Sequence, residues 1–326
     1  MRQSLPRHPR SQASTSNTRV SKPRRQLRRD IHGVLLLDKP KGITSHQALL
    51  AVRVLYNADK AGHTGTLDPL ATGLLPICFG QATKLTAHLL DSTKRYLAEV
   101  KLGEATSTGD SEGETIARSD PTGVTLAALQ AAALAFTGLI QQVPPMYSAI
   151  KRDGTRLYEL AREGVEVERE AREVEIHALT VVAFDGVTAT LDVTCSKGTY
   201  IRTLAEDWAK CFGQVAHLSG LRRLAVGSFG ATEPAQMVTL AALEASSDFA
   251  TLDRHLLPSR TVIADWPTVT VTPEQVARLD FGFTINTGAA PGWVAMLRQS
   301  GELLGLGEQR ADGVLQPRRW FGAEGV

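Results

Sequence analysis

The stretch from Gly62 to Lys84, GHTGTLDPLATGLLPICFGQATK, constrains the fold of this 326-residue chain more than any other segment. Its glycines permit tight turns, and Pro69 biases the residue before it towards an extended or turn conformation. Leu74 to Cys78 predicts a buried strand. Asp68, the one carboxylate of the stretch, is therefore expected on a rigid turn beside a core strand. It is either a catalytic group or a cap of the turn that follows, and the spacing alone favours the cap.

Five more segments carry recognisable motifs in a fixed order. They are GVLLLDKPKGITS (33–45), KRY (94–96), VPPMYSAIK (143–151), CSKGTYIRTLAED (195–207) and HLSGLRRLAVGSF (217–229). Together with the first stretch they resemble the TruB family of tRNA pseudouridine-55 synthases. The resemblance implies an α+β fold, with a large mostly antiparallel sheet, flanking helices and a central catalytic cleft.

The resemblance also implies a reaction. Uridine at position 55 in the T-loop of tRNA would be isomerised from an N-glycoside to a C-glycoside, without redox chemistry or a group donor. No cofactor is expected. This agrees with a sequence that contains no Walker run, no Rossmann glycine pattern and no His/Cys cluster.

In the family pattern three residues carry the chemistry. Asp68 is the nucleophile or carboxylate catalyst, and Arg202 is its counter-ion, which would keep it ionised. Tyr96 stacks on the flipped uracil, with its hydroxyl placed for proton transfer. His63 fills the space that the extruded base leaves. Read without the family, Arg202 is a surface cation or a cap partner, and His63 is a hydrogen-bonded turn histidine.

Further residues are assigned to substrate binding by the same resemblance. Tyr200 and Leu221 surround the uracil, and Arg222 and Arg223 lie near the tRNA backbone. Lys39 supports the active-site strand, although a turn lysine in solvent is an equal reading of its position.

Residues 143–164 mix cations with aromatic rings and resemble the thumb insertion that closes over the tRNA stem-loop. The rings are Tyr147 and Tyr158, and the cations are Lys151, Arg152, Arg156 and Arg162. The alternative is an exposed amphipathic helix.

Two local predictions concern polar segments. Ser45 is expected to be the N-cap of a helix that runs to about Tyr56. Residues 103–122 predict a solvated loop, because Asp110, Glu112 and Glu114 lack the spacing of a calcium-binding loop.

The chain divides into three predicted parts: a disordered basic arm (1–30), a catalytic domain (31–258) and a small PUA-like β-domain (259–326). The arm carries nine Lys or Arg against one acid, a net charge of +8 in a chain whose total is +2. It is an RNA-gripping tail, an organellar transit peptide or the product of a wrongly chosen start codon. Because residues 31–326 carry a net charge of −6, an RNA-binding surface on the folded part has to be a local basic patch.

Composition excludes several classes of protein. The three cysteines are odd in number and lack CxxC spacing, so neither a disulfide framework nor a zinc site is supported. No apolar run predicts a membrane span or a signal peptide. We therefore expect a cytoplasmic monomer that binds the tRNA T-stem-loop and needs no obligate protein partner and no metal.

Two alternative functions are consistent with the same tRNA-binding surface. One is a tRNA-folding chaperone for which the chemistry is incidental, and the other is a guide-dependent relative resembling dyskerin. The presence of Asp68, Tyr96 and Arg202 favours the enzyme, and the thumb-like segment argues against guide dependence.

Overall fold

The computed structural model of the chain describes residues 28–322 apart from 149 and 153, so that most of the predicted arm lies outside the described residues. Arg29 lies inside them and forms part of the folded body. Its guanidinium pairs with Asp253 and lies 4.2 Å from the ring centroid of Phe249. This cation is therefore bound to protein partners, unlike the freely available arm cation that the sequence suggested.

Strands and helices alternate irregularly along the chain. The strands of the first part are β1 (Gly33–Lys39), β2 (Ala61–His63), β3 (Thr72–Phe79), β4 (Lys94–Leu102), β5 (Glu104–Thr106), β6 (Thr115–Arg118), β7 (Gly138–Gln142), β8 (Lys151–Arg152), β9 (Thr155–Arg156), β10 (Arg172–Phe184), β11 (Thr188–Cys195), β12 (Ala216–Val226), β13 (Val238–Thr239) and β14 (Leu256–Leu257). Those of the last part are β15 (Thr268–Thr270), β16 (Ile285–Asn286), β17 (Gly292–Leu297), β18 (Leu303–Gln309) and β19 (Val314–Trp320).

The helices are short, and two further turns are 3₁₀ helices. The α-helices are α1 (Ser45–Leu55), α2 (Thr86–Asp91), α3 (Leu126–Ala135), α4 (Leu157–Arg162), α5 (Ile201–Lys210), α6 (Leu240–Glu244), α7 (Phe249–Asp253) and α8 (Pro273–Asp280), and the 3₁₀ helices are Gly80–Leu85 and Ser259–Ile263. Among the described residues, no helix combines the length and apolarity needed to cross a membrane.

A ten-stranded sheet forms the body, in the order β13-β1-β3-β12-β4-β11-β10-β7, with β14 on β1 and β2 on β3. Its pairings are antiparallel except for β1 with β13 and β3 with β12. The predicted α+β fold with a mostly antiparallel sheet is therefore confirmed. At the parallel β3–β12 contact, a Cβ on Gly73 would lie 2.3 Å from the carbonyl oxygen of Arg223, so only glycine lets the two strands approach.

The core of the body lies between this sheet and helices α1, α3 and α5. Its largest fully buried side chain is Trp208 of α5, whose indole N–H donates to the carbonyl of Leu129 in α3. Burial of such apolar side chains stabilises the fold by about 25 cal/mol per Å² removed from water. Because α5 is fixed by this packing, its first turn is a rigid platform.

The last part of the chain forms a separate five-stranded sheet, in the order β15-β17-β18-β19-β16. This small sheet fits the PUA-like β-domain. Its residues Leu306 and Phe321 pack with Val34 and Leu74 of the large sheet in one apolar cluster. The two sheets are therefore joined through apolar contacts.

Two local predictions were wrong. The N-cap of α1 is Thr44, which forms a capping box with Gln47, while the hydroxyl of Ser45 is buried and bonds elsewhere. The segment 103–122 is not a solvated loop, because it folds into the β5–β6 hairpin and buries Asp110. In both cases tertiary contacts, which local sequence does not encode, decided the outcome.

Candidate active site

Asp68 lies on the turn between β2 and β3, where its neighbours Leu67 and Leu70 are buried in the core. The backbone N–H of Ala71 donates to the Asp68 carbonyl and closes the turn. The carboxylate pairs with the guanidinium of Arg202, Oδ2 to Nε 3.0 Å, and a strand rather than a helix follows the turn. The geometry therefore differs from that of a helix-capping aspartate.

Arg202, in the first turn of α5, is held on every side of its guanidinium. Besides the Asp68 contact, Nη1 donates to the carbonyl of Thr108 at 2.8 Å and Nη2 to the carbonyl of Tyr147 at 2.7 Å. Only 6% of its side chain is exposed. The readings of Arg202 as a surface cation or a cap partner do not fit this burial.

Asp110, expected in a solvated loop, is a second carboxylate beside Arg202. Its Oδ2 lies 3.8 Å from Nε of Arg202, and its Oδ1 accepts from the Thr108 hydroxyl at 2.6 Å. The residue is only 4% exposed. The signal that was overlooked is the Thr-Gly-Asp sequence at residues 108–110, which builds a tight turn in which Oδ1 of Asp110 accepts from the backbone N–H of Glu112 at 3.0 Å.

Lys39 lies at the end of β1 with no exposed surface. Its Nζ donates to the carbonyls of Pro40 at 2.8 Å and Ile43 at 2.7 Å. Burial lowers its pKa to about 8, against the opposing attraction of Asp68. The reading of Lys39 as a turn lysine in solvent is wrong. We name Asp68, Asp110, Arg202 and Lys39 the ionic cluster.

The pKa of Asp68 is raised above that of an ordinary aspartate, chiefly because the cleft removes water from it. Arg202 opposes this increase and Asp110 adds to it. Part of the Asp68 side chain, 38% of its surface, remains exposed. The sequence led us to expect that Arg202 would set the direction, but desolvation outweighs the ion pair.

Tyr96 lies on β4 directly opposite Arg223 of β12, and Arg223 hydrogen-bonds its hydroxyl. Burial raises the pKa of Tyr96, so the phenol stays protonated. Arg223 is itself only 1% exposed and donates to the carbonyls of Leu74 at 2.7 Å and Gly65 at 3.2 Å. The expected position of Arg223 near the tRNA backbone is therefore wrong, because its guanidinium is committed to the interior.

His63 ends β2 opposite Ile77. Its Nδ1 is buried and has no hydrogen-bond partner among the described residues, so this nitrogen does not support the reading of a hydrogen-bonded turn histidine. Burial lowers its pKa, and the charges of Arg223 and His46 lower it further. The imidazole is therefore neutral, and its buried Nδ1 lacks a hydrogen-bond partner among the described residues.

Tyr200 precedes α5 and is fixed through its backbone. Its N–H donates to the side-chain oxygen of Gln142 at 2.7 Å, and its carbonyl accepts from the same amide at 3.1 Å. Burial raises the pKa of its half-buried phenol, and the charge of Asp68 is among the smaller causes. We name His63, Tyr96 and Tyr200 the ring cluster.

The two remaining residues predicted on β12 are more open. Leu221 is half-buried and pairs with Ala98 of β4, next to the Tyr96 strand position. Arg222 forms a two-pronged pair with Asp38 of β1, at 3.0 and 2.8 Å, and 39% of its side chain is exposed. Of the two neighbouring arginines, only Arg222 can face a ligand.

The thumb-like segment contacts the ionic cluster through Tyr147, whose carbonyl accepts from Arg202 and whose side chain is half-buried. Beyond it the chain forms the small β8–β9 hairpin and the single turn-and-a-half of α4. The segment therefore does not form one continuous amphipathic helix. Within the described ranges, no group of His, Cys, Asp and Glu residues could hold a metal ion.

Comparison with known sequences covers nearly the whole chain. Three family models match it: "TruB family pseudouridylate synthase (N terminal domain)" over residues 53–201, "tRNA pseudouridylate synthase B C-terminal domain" over 202–264, and "Pseudouridine synthase II TruB, C-terminal" over 267–321. The protein named tRNA pseudouridine synthase B of Pseudomonas aeruginosa (strain UCBPP-PA14) is 46% identical over 297 residues, which is 90% of this chain and 97% of the relative. The protein of the same name from Nitrosococcus oceani is 45% identical over 92% of this chain and 98% of its own length.

Solved structures show the same architecture. A chain of a Cbf5-Nop10-Gar1 complex superposes with a TM-score of 0.68 at 25% identity, covering 89% of this chain and 84% of that one. A chain of an H/ACA RNP bound to a substrate RNA containing 2'-deoxyuridine gives a TM-score of 0.67 at 23% identity, with coverage of 89% and 84%. The second likeness supports the fold alone.

Proposed function

The chain belongs to the TruB family of pseudouridylate synthases, and we propose that it isomerises uridine to pseudouridine at position 55 in the T-loop of tRNA. The observation that carries the proposal is the pairing of Asp68 with Arg202 at 3.0 Å, with Tyr96 and Tyr200 close enough to feel the charge of Asp68. The reaction breaks the bond between ribose C1′ and uracil N1 and forms a bond from C1′ to C5, while the proton on C5 is lost and N1 gains one. Nothing is added or removed overall, so the reaction consumes no oxidant, reductant or group donor.

Asp68 acts as the nucleophile or carboxylate catalyst, and Arg202 orients it. The guanidinium is fixed by two backbone carbonyls and by Asp110, so it cannot turn away from Asp68. Groups that are held in place before the substrate arrives need no reorganisation during the reaction, which is how electrostatic catalysis gains most of its effect.

The ring cluster receives the extruded uridine. Taking a base out of a folded loop costs a few kcal/mol, and stacking on aromatic rings offsets that cost. Tyr96 and Tyr200 supply rings near Asp68, since the charge of Asp68 is felt at both phenols. His63 occupies the space the base leaves, and its unpaired Nδ1 can bond the nucleic acid. Leu221 packs against the uracil.

The surrounding parts bind the rest of the tRNA. Residues 31–258 form the catalytic domain, 143–164 are its thumb over the T-stem-loop, and 259–326 are a second, smaller domain. Arg222, held by Asp38 at the edge of the cleft, faces the tRNA backbone. The enzyme works as a cytoplasmic monomer without an obligate protein partner.

The test is pseudouridine mapping of unmodified tRNA after incubation with the full chain alone. We expect conversion of one T-loop uridine without added cofactor. A folded protein that accelerates tRNA folding but leaves every uridine unchanged would identify a chaperone. Conversion only with an added guide RNA and accessory proteins would identify the guide-dependent alternative.

A further inference from the structure

Ser45 has a buried hydroxyl that the helix beginning at this residue does not use. The N-terminus of α1 is already capped by Thr44, whose side chain accepts from Gln47 N–H while the Gln47 side chain bonds back to Thr44 N–H. Ser45 is only 1% exposed. A buried hydroxyl needs partners, and these come from a distant part of the chain.

Both partners belong to Leu67, the residue before Asp68. The Ser45 hydroxyl accepts from the Leu67 N–H at 2.7 Å and donates to the Leu67 carbonyl at 3.0 Å. One small side chain thus satisfies both polar groups of one buried backbone residue, much as a neighbouring strand would. This fixes the peptide from which the Asp68 side chain departs.

The residue after Asp68 is held from the same segment. The N–H of Gly42 donates to the carbonyl of Pro69 at 2.8 Å, and Gly42 adopts a φ of +90°, a left-handed conformation that suits glycine. The turn that carries Gly42 is itself fixed by Lys39, whose Nζ bonds the Pro40 and Ile43 carbonyls. Asp68 therefore lies between two backbone anchors that do not touch its carboxylate.

We propose that Ser45 is a positioning residue for Asp68, acting through the Leu67 backbone to aim the carboxylate at Arg202 and the reacting uridine. This deepens the proposed function and rests on it. A displacement of about 1 Å in a reacting group costs on the order of a hundredfold in rate. Arg202 is fixed by other contacts, so the position of Asp68 depends on the anchors of its own turn.

The experiment compares Ser45→Ala with the parent enzyme under single-turnover conditions on a T-loop substrate, beside a tRNA binding isotherm and a melting curve. We expect the rate to fall about ten- to hundredfold while the Kd for tRNA stays within about twofold. Ser45→Cys keeps a weaker donor and acceptor, so its rate should lie between the two. A rate for Ser45→Ala equal to that of the parent, or a rate for Ser45→Cys no higher than that of Ser45→Ala, would overturn the proposal.

The matched control is Thr125→Ala, which removes a hydroxyl that accepts one backbone N–H at the start of α3, away from the Asp68 turn. Assayed at a temperature equally far below its own Tm, it should turn over like the parent. If Thr125→Ala slowed the reaction as much as Ser45→Ala, the loss would be one of stability and not of position.

Amide hydrogen exchange provides a readout that does not depend on activity. The Leu67 amide should be protected in the parent and lose protection in Ser45→Ala, with no such change in Thr125→Ala. Retained protection of Leu67 would overturn the positioning role. A parent that forms no pseudouridine would instead overturn the proposed function, and the exchange data would still decide whether Ser45 holds the turn.

Discussion

The ionic cluster and the ring cluster are neighbours, since the charge of Asp68 acts on Tyr96 and Tyr200, but they differ in how far their polar atoms are already paired. In the ionic cluster Arg202 has four protein partners, and Lys39 bonds two carbonyls. In the ring cluster, His63 keeps a buried nitrogen without a partner. A fully paired group is ready for chemistry, whereas an unpaired one has capacity left for a ligand. Under the proposed function, the charges are assembled in advance, and the RNA supplies the missing hydrogen-bond partner of His63.

Among the tests of this comparison, the largest effect is expected from Asp68→Asn, which keeps the shape of the side chain and removes its charge. Turnover should fall by about a thousandfold or more, because an interaction needed to reach the transition state is lost. Affinity for tRNA should stay within a few-fold. The measurements are single-turnover pseudouridine formation and a binding isotherm.

A control for Asp68→Asn is Asp91→Asn, which removes a carboxylate that pairs with Lys197 in solvent. It should leave turnover unchanged. If Asp68→Asn also retained turnover, the ionic cluster would be structural, and its contrast with the ring cluster would have no catalytic meaning.

Tyr96→Phe asks whether the ring cluster also takes part in proton transfer. The ring remains, so tRNA should bind about as well, while loss of the hydroxyl should slow turnover about a hundredfold. Tyr56→Phe is the matched control, since the Tyr56 hydroxyl is buried and donates to the Leu252 carbonyl at 2.7 Å. The control should lose about 1 kcal/mol of stability and no activity. Normal turnover in Tyr96→Phe would reduce the role of the ring to stacking.

Asp110→Asn tests the ionic cluster through pH. Because the pKa of Asp68 is raised, the rate should fall on acidification at a pH above the usual aspartate range. The charge of Asp110 contributes to that increase, so removing it should lower the pKa and move the acidic limb to lower pH, with a rate loss of about tenfold from weaker anchoring of Arg202. Glu114→Gln, in the exposed part of the same hairpin, should change neither the acidic limb nor the rate. An acidic limb that moved upwards would contradict this account of the cluster.

The smallest effect is expected from His63→Leu, which removes the unpaired nitrogen and keeps an apolar side chain. Stability should not fall, because a buried polar atom without a partner is a cost to the fold. Turnover should fall about tenfold as the contact with the extruded loop is lost. His217→Leu is the contrasting variant, since His217 is buried but its Nδ1 bonds the Glu104 carbonyl at 2.9 Å. That variant should lower the Tm, and an equal loss in His63→Leu would mean that its nitrogen is paired.

The sequence by itself determined several strands and helices, and through its family motifs it identified Asp68 and Arg202 as a pair. The apolar run from Leu74 to Cys78 predicted a buried strand, and the pattern after Ser45 predicted a helix to about Tyr56; β3 and α1 confirm both. These features depend on local periodicity and turn chemistry, which are written in neighbouring residues. The six ordered motifs carried the family, and with it the expectation that Asp68 and Arg202 would meet, 134 positions apart.

Tertiary structure alone decided which polar residues are inside. We expected Asp110 in a solvated loop, Arg223 on a phosphate-binding surface and Ser45 at a helix cap, but each is buried beside the Asp68 turn or its arginine. A polar residue has the same local pattern whether its partner is water or a distant backbone group. Burial depends on what packs against the residue, and at all three positions that contact comes from a remote segment of the chain.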